Sequence, residues 1–134
     1  MKVDHIGYAV RDISKARIVF EDLGFIFDEL IKDDQRNVSL CFGVKDGYTI
    51  ELVSPLSNDL KSPIDAVLKK LGNTSYHICY ISEDIEEDLK EMSAKKYKVI
   101  IPLEKAVAFD GRRVVFLYNP YIGLVELVES DMFE

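Results

Sequence analysis

The stretch DHIGYAVRDI, residues 4–13, returns as YHICYISEDI at residues 76–85, and this internal echo constrains the fold more than any isolated motif. At a single offset of 72, His5 falls on His77, Ile6 on Ile78, Tyr8 on Tyr80, Asp12 on Asp84 and Ile13 on Ile85: five identities in nine positions. The chain has two histidines, and both lie in this phrase. A second match, TIELV (49–53) with LVELV (124–128), runs at an offset of 75 and places Glu51 on Glu126. The three-residue change falls between them, in loops, where insertions are tolerated.

Periodicity gives each copy the same order of elements. Val3 to Val10 alternates as a strand, with Val3, His5, Gly7 and Ala9 on one face. The apolar residues Ile13, Ala16, Ile18, Val19, Phe20 and Leu23 predict a helix over 13–23, stopped at Gly24. Strands are expected over 25–31, 37–42 and 48–53, the last two joined by an Asp46-Gly47 hairpin turn. A turn-rich joint follows, with a short helix over 64–71 that starts after Pro63 and ends at Gly72. The second copy then predicts a strand over 76–81, a helix over 85–94 and strands over 97–103, 113–118 and 124–128, the last two flanking the turn NPYIG.

Composition excludes several classes of function. With 48% hydrophobic and 31% charged residues, the chain matches an ordinary globular protein. Its net charge of −7 disfavours nucleic acid and anionic membrane surfaces as partners. The longest apolar runs, such as Val99-Ile100-Ile101, are far too short to cross a bilayer. The opening MKVDHIGY carries an acidic residue where a secretory signal needs apolar ones, so a cytoplasmic location is expected. Cys41 and Cys79, each within an apolar strand, are expected as buried thiols.

Glu51 lies between Ile50 and Leu52, and Glu126 between Val125 and Leu127, so each carboxylate points away from the face its neighbours bury. Taken singly, each would be a solvated glutamate on an amphipathic sheet, and His5 an ordinary histidine. Taken jointly, two imidazoles and two carboxylates at equivalent places form a donor set for one divalent metal ion, if a pseudo-twofold pairing brings them together. Such a set is neutral once the ion is bound. Nitrogen and oxygen ligation suits Ni²⁺, Co²⁺, Zn²⁺ or Mn²⁺.

The segments VDHIGYAVRDI, IELVSPL, SPIDAVL, YHICYISEDI and GLVELVE resemble the vicinal oxygen chelate superfamily, whose members include glyoxalase I, methylmalonyl-CoA epimerase, extradiol dioxygenases and metal-free resistance proteins. The resemblance implies an α+β fold of two tandem β-α-β-β-β modules forming a cupped mixed sheet. It implies one domain over residues 1–134, with module 1 at 1–55, a joint at 56–73 and module 2 at 74–134. It also implies metal ligands at His5, Glu51, His77 and Glu126. A full ligand set argues against the dioxygenases, which leave the position of Glu51 out of the metal sphere, and against the metal-free proteins.

Two local comparisons separate the remaining subfamilies. Glyoxalase I generally has an arginine four residues after its first histidine, where this chain has Ala9. ELVSPLSNDLKSPIDAVLKK resembles the corresponding segment of methylmalonyl-CoA epimerase. The epimerase's loop glutamate is absent, and DDQRN offers only Asp34 in its place; Tyr118-Asn119 stands where many epimerases have His-Pro. The resemblance therefore implies a metal-dependent isomerase or epimerase acting beside the carbonyl of a small thioester, in a homodimer. A glyoxalase I-type lyase acting on a thiol hemithioacetal and a non-catalytic small-molecule-binding protein are the alternatives. Glu126 or Glu51, swung off the metal, or Asp34 would be the base. Arg36, Arg112 and Arg113 are the nearest cations for a CoA thioester.

Overall fold

A computed structural model describes residues 1–131; residues 132–134, the end of the second module, lie outside it. The elements run β1 (Lys2–Ala9), α1 (Ile13–Asp22), β2 (Ile26–Phe27), β3 (Ile31–Asp33), β4 (Val38–Lys45), β5 (Tyr48–Pro55), α2 (Asp65–Leu71), β6 (Thr74–Ser82), α3 (Ile85–Ala94), β7 (Lys98–Lys105), β8 (Arg113–Asn119) and β9 (Gly123–Glu129), with a 3₁₀ turn at Val107–Phe109. The chain divides into two compact units, one spanning His5–Tyr76 and the other joining Met1–Asp4 to the segment from His77 onward. Both carry helix against mixed sheet, so the α+β class read from the sequence is the one observed.

In the His5–Tyr76 unit the sheet order is β2-β4-β5-β1, with β3 also on β4. β1 and β5 are parallel and β4 and β5 antiparallel. The hairpin between them closes at Asp46 (φ 52°) and Gly47 (φ 82°), the pair of positive φ angles that a two-residue type I′ turn requires. Asp12 caps α1 by accepting from the Lys15 amide at 3.0 Å. The helix ends in a Schellman motif: Gly24 at φ 103° donates to Glu21 and Phe25 donates to Phe20. One core forms where Val10, Phe27, Cys41, Ile50 and Leu52 meet Ile13, Ala16 and Phe20 of the helix.

The structure departs from the sequence pattern in two places. The apolar stripe of α1 is narrower than the composition suggests, because Ile18, Val19 and Leu23 are exposed. The single strand expected over 25–31 is two strands. Phe27 pairs with Gly43 and Ile31 with Leu40, so three residues on one side oppose two on the other. That one-residue surplus is a bulge, which breaks the ladder.

The joint after β5 is tied down by Asn37, which is buried with φ 55°. Its side-chain amide donates to the Ser57 and Leu60 carbonyls at 2.8 and 2.9 Å, and its oxygen accepts from the Ser57 amide at 2.9 Å. Arg11 holds the other end through the Leu68 carbonyl at 2.6 Å, and its amide donates to Asn73 at 2.8 Å.

The other unit repeats these devices. Its sheet runs β6-β9-β8-β7, with β6 and β9 parallel and the rest antiparallel. Asp84 caps α3 through the Glu87 amide at 3.2 Å, as Asp12 caps α1. A second Schellman motif follows, with Lys96 at φ 70° donating to Ser93 and Tyr97 to Met92. Ile85, Leu89 and Met92 of α3 pack on Val115, Leu117, Val125 and Leu127. β7 ends the order, and its ladder with β8 slips by one residue after Val99 and again after Ile101.

Candidate functional site: two buried histidine–glutamate pairs

Each helix covers one face of its sheet, and the alternation of strand side chains assigns the chemistry to the other. In β5, Ile50 and Leu52 enter the core under α1, so Glu51 points the opposite way. Gly7 is the parallel partner of Glu51, and His5, two residues earlier on β1, shares that face. The result is a contact between His5 Nε2 and Glu51 Oε1 at 3.4 Å. In β9, Val125 and Leu127 enter the core under α3 and Glu126 faces away. Cys79 is its parallel partner, and His77 Nε2 reaches Glu126 Oε1 at 3.1 Å.

All four side chains are buried: His5 is 1% exposed, Glu51 6%, His77 4% and Glu126 4%. Solvated glutamates, the expectation for each taken alone, are therefore excluded. Alternation correctly gives the side of the sheet; it says nothing of depth. Burying a carboxylate costs roughly several kcal/mol unless positive charge or donors compensate. Each pair sets an imidazole nitrogen against a carboxylate oxygen. Two lone pairs at that distance repel unless a proton or a cation lies with them. The donor set, nitrogen and oxygen in equal number, fits a divalent transition-metal ion.

A third residue in each unit was not anticipated as part of the site. Phe42 lies directly across the ladder from Glu51, and Phe116 directly across from Glu126. The Phe42 ring meets His5 at 5.4 Å and 76°, and the Phe116 ring meets His77 at 5.2 Å and 86°. The signal was present in the sequence: the two phenylalanines are 74 residues apart, between the offsets of the histidines and the glutamates.

Asp34 is exposed in the turn between β3 and β4. Its neighbour Asp33 is the buried one, accepting from the Arg36 amide at 3.0 Å and facing its guanidinium at 3.3 Å. The loop cations considered for a CoA thioester all have structural contacts. Arg36 holds Asp33. Arg112 donates to the Glu129 carbonyl at 3.2 Å and stacks over Phe109. Arg113 meets Glu129 at 3.1 Å and Glu86 at 3.0 Å. Cys41 and Cys79 are buried thiols, and burial pushes the Cys41 pKa up. No helix among the described residues is long and apolar enough to cross a membrane.

Comparison with known proteins places this geometry in a family. The chain is 30% identical over 133 residues to the uncharacterized protein YqjC of Bacillus subtilis (strain 168), covering 96% of this chain and 91% of that protein. A hypothetical protein from Bacillus halodurans C-125 superposes with a TM-score of 0.82 at 27% identity, covering 97% and 94% of the two chains. A variant of Streptomyces coelicolor methylmalonyl-CoA epimerase in complex with 2-nitronate-propionyl-CoA superposes with a TM-score of 0.80 at 25% identity, covering 100% and 97%. Mycobacterium tuberculosis methylmalonyl-CoA epimerase, at 23% identity, 97% and 88% coverage and a TM-score of 0.81, shares the fold. The sequence profile of the Glyoxalase/Bleomycin resistance protein/Dioxygenase superfamily matches residues 4–116, and the chain belongs to that superfamily.

Proposed function

We propose that His5, Glu51, His77 and Glu126 together hold one divalent ion, and that the chain is an isomerase of the methylmalonyl-CoA epimerase type, moving a proton on the carbon beside a thioester carbonyl. The observation that carries this reading is the repeated burial of an imidazole nitrogen against a carboxylate oxygen, once in each unit. It is supported by the likeness to an epimerase solved with a propionyl-CoA nitronate. When bound, the ion would supply Lewis-acid polarisation of the carbonyl oxygen.

The remaining work falls to the chain's own residues. His5 and His77 would offer their ring nitrogens to the ion from β1 and β6. The base must lie within hydrogen-bond reach of the carbon-bound proton, beside the ion that would polarise the carbonyl. Glu126 or Glu51 would take the proton from carbon and deliver it back. Asp34 is a third candidate base, and it would have to reach the substrate from its turn. We further propose a cytoplasmic homodimer acting on a small molecule.

Elemental analysis of protein purified without chelator, paired with deuterium incorporation at C2 of methylmalonyl-CoA, tests the reading. About one divalent ion per chain with exchange at that carbon supports it. Bound metal without exchange there directs attention to methylglyoxal–thiol adducts and, failing those, to a binding protein. No metal after dialysis against Ni²⁺, Co²⁺ or Zn²⁺ overturns it.

A further inference from the structure

We infer that Phe42 and Phe116 are positioning residues that fix the imidazoles of His5 and His77 for metal ligation, an assignment that rests on the metal reading above. In each unit the imidazole is held on two sides. The carboxylate lies at Nε2, 3.4 Å away for His5 and 3.1 Å for His77. A phenyl ring stands nearly perpendicular to the imidazole, at 76° and 86° with centroids 5.4 and 5.2 Å apart. Edge-to-face geometry at this distance is the favoured arrangement of two aromatic rings. It opposes rotation of the imidazole about its last side-chain torsion, which is otherwise broad.

The ladder explains why the phenylalanine occupies that position. Phe42 pairs directly with Glu51 and Phe116 with Glu126, so each ring also flanks the carboxylate of its own pair. Both rings are only half-buried, whereas the histidines and glutamates beside them are buried. A half-buried phenylalanine on a sheet face could be incidental once. Its recurrence at the equivalent place, with the same ring geometry and the same cross-strand partner, indicates that the arrangement belongs to the donor set. An imidazole already oriented in the metal-free fold loses less freedom on binding the ion, so the rings raise affinity without touching it.

The test uses the full chain and Co²⁺ or Ni²⁺ as probes, titrated by calorimetry, with the visible spectrum of the Co²⁺ form as a second readout. Phe42→Leu and Phe116→Leu are each expected to weaken binding by about tenfold and to alter the Co²⁺ spectrum. Phe42→Tyr and Phe116→Tyr keep the ring and should restore both. Leu117→Val, on the same strand as Phe116 but under α3, should leave affinity and spectrum unchanged. Wild-type affinity in the leucine variants overturns the assignment while the metal reading stands. An equal loss in Leu117→Val reveals a mere stability effect and also overturns it. A wild-type protein that binds neither ion overturns the metal reading itself, and the assignment with it.

Discussion

His77 and Glu126 face each other from neighbouring parallel strands, Nε2 to Oε1 at 3.1 Å, in an interior that offers this carboxylate little water. An arrangement of this kind is poor at stabilising a fold and good at holding a cation. Replacing both members with apolar residues, His77→Leu with Glu126→Leu, should leave the metal-free protein as stable as before or more so by about 1–4 kcal/mol. Glu126→Gln alone should weaken Ni²⁺ binding by about 100-fold or more, since it removes a proposed ligand where loss of a supporting contact already costs 10–100-fold. Urea denaturation of the metal-free proteins and calorimetric titration check the two halves.

The helix termini predict a pair of opposite effects. Asp12→Ala or Asp84→Ala removes an N-cap and should destabilise by about 1 kcal/mol each. Lys96 occupies the left-handed position where the first repeat has Gly24. Lys96→Gly should therefore stabilise by about 0.5–1 kcal/mol, the relief of backbone strain exceeding the entropy that glycine adds to the unfolded chain. Chemical denaturation midpoints measure all three.

Asn37 is the clasp of the joint. Asn37→Ala leaves the Ser57 and Leu60 carbonyls and the Ser57 amide without their partner, and puts alanine at φ 55°. A loss of about 2–4 kcal/mol is expected. Amide hydrogen exchange should show the protection lost first in the segment from Ser57 to Lys61, near the clasp.

Acid should loosen the protein through Glu129. Burial pushes its pKa up, but the Arg113 amide at 2.7 Å and the Arg113 guanidinium outweigh this and hold it below the usual carboxylate value of 4.5. A depressed folded-state pKa means a contribution fully present above the unfolded value and lost as pH falls through the folded one. Glu129→Gln should therefore lower stability at neutral pH and flatten the decline below about pH 4.5. Urea midpoints measured across that range would refute this if both proteins declined in parallel.

Much of this was legible because the chain states its plan twice. The repeated Asp12/Asp84 marks two N-caps, and the repeated His and Glu mark two strand faces. The split between β2 and β3 was not legible: a bulge depends on what β4 opposes, which no local pattern in residues 25–33 records. The exposed Ile18 and Val19 were misread because hydrophobicity does not reveal whether anything covers a helix flank. Phe42 and Phe116 went unnoticed as partners because their offset matches neither of the two that define the repeat. Only the ladder shows that they stand opposite Glu51 and Glu126.

β7 carries a consequence for life at high concentration. A straight terminal strand offers another copy a run of backbone donors and acceptors, the seed of a growing fibre. This strand slips against β8 twice, has Pro102 between flanking lysines Lys98 and Lys105, and so breaks the run that a second chain would have to match. Exposed Val99 and Ile100 can thus sit at the margin of the fold without recruiting further copies edge to edge.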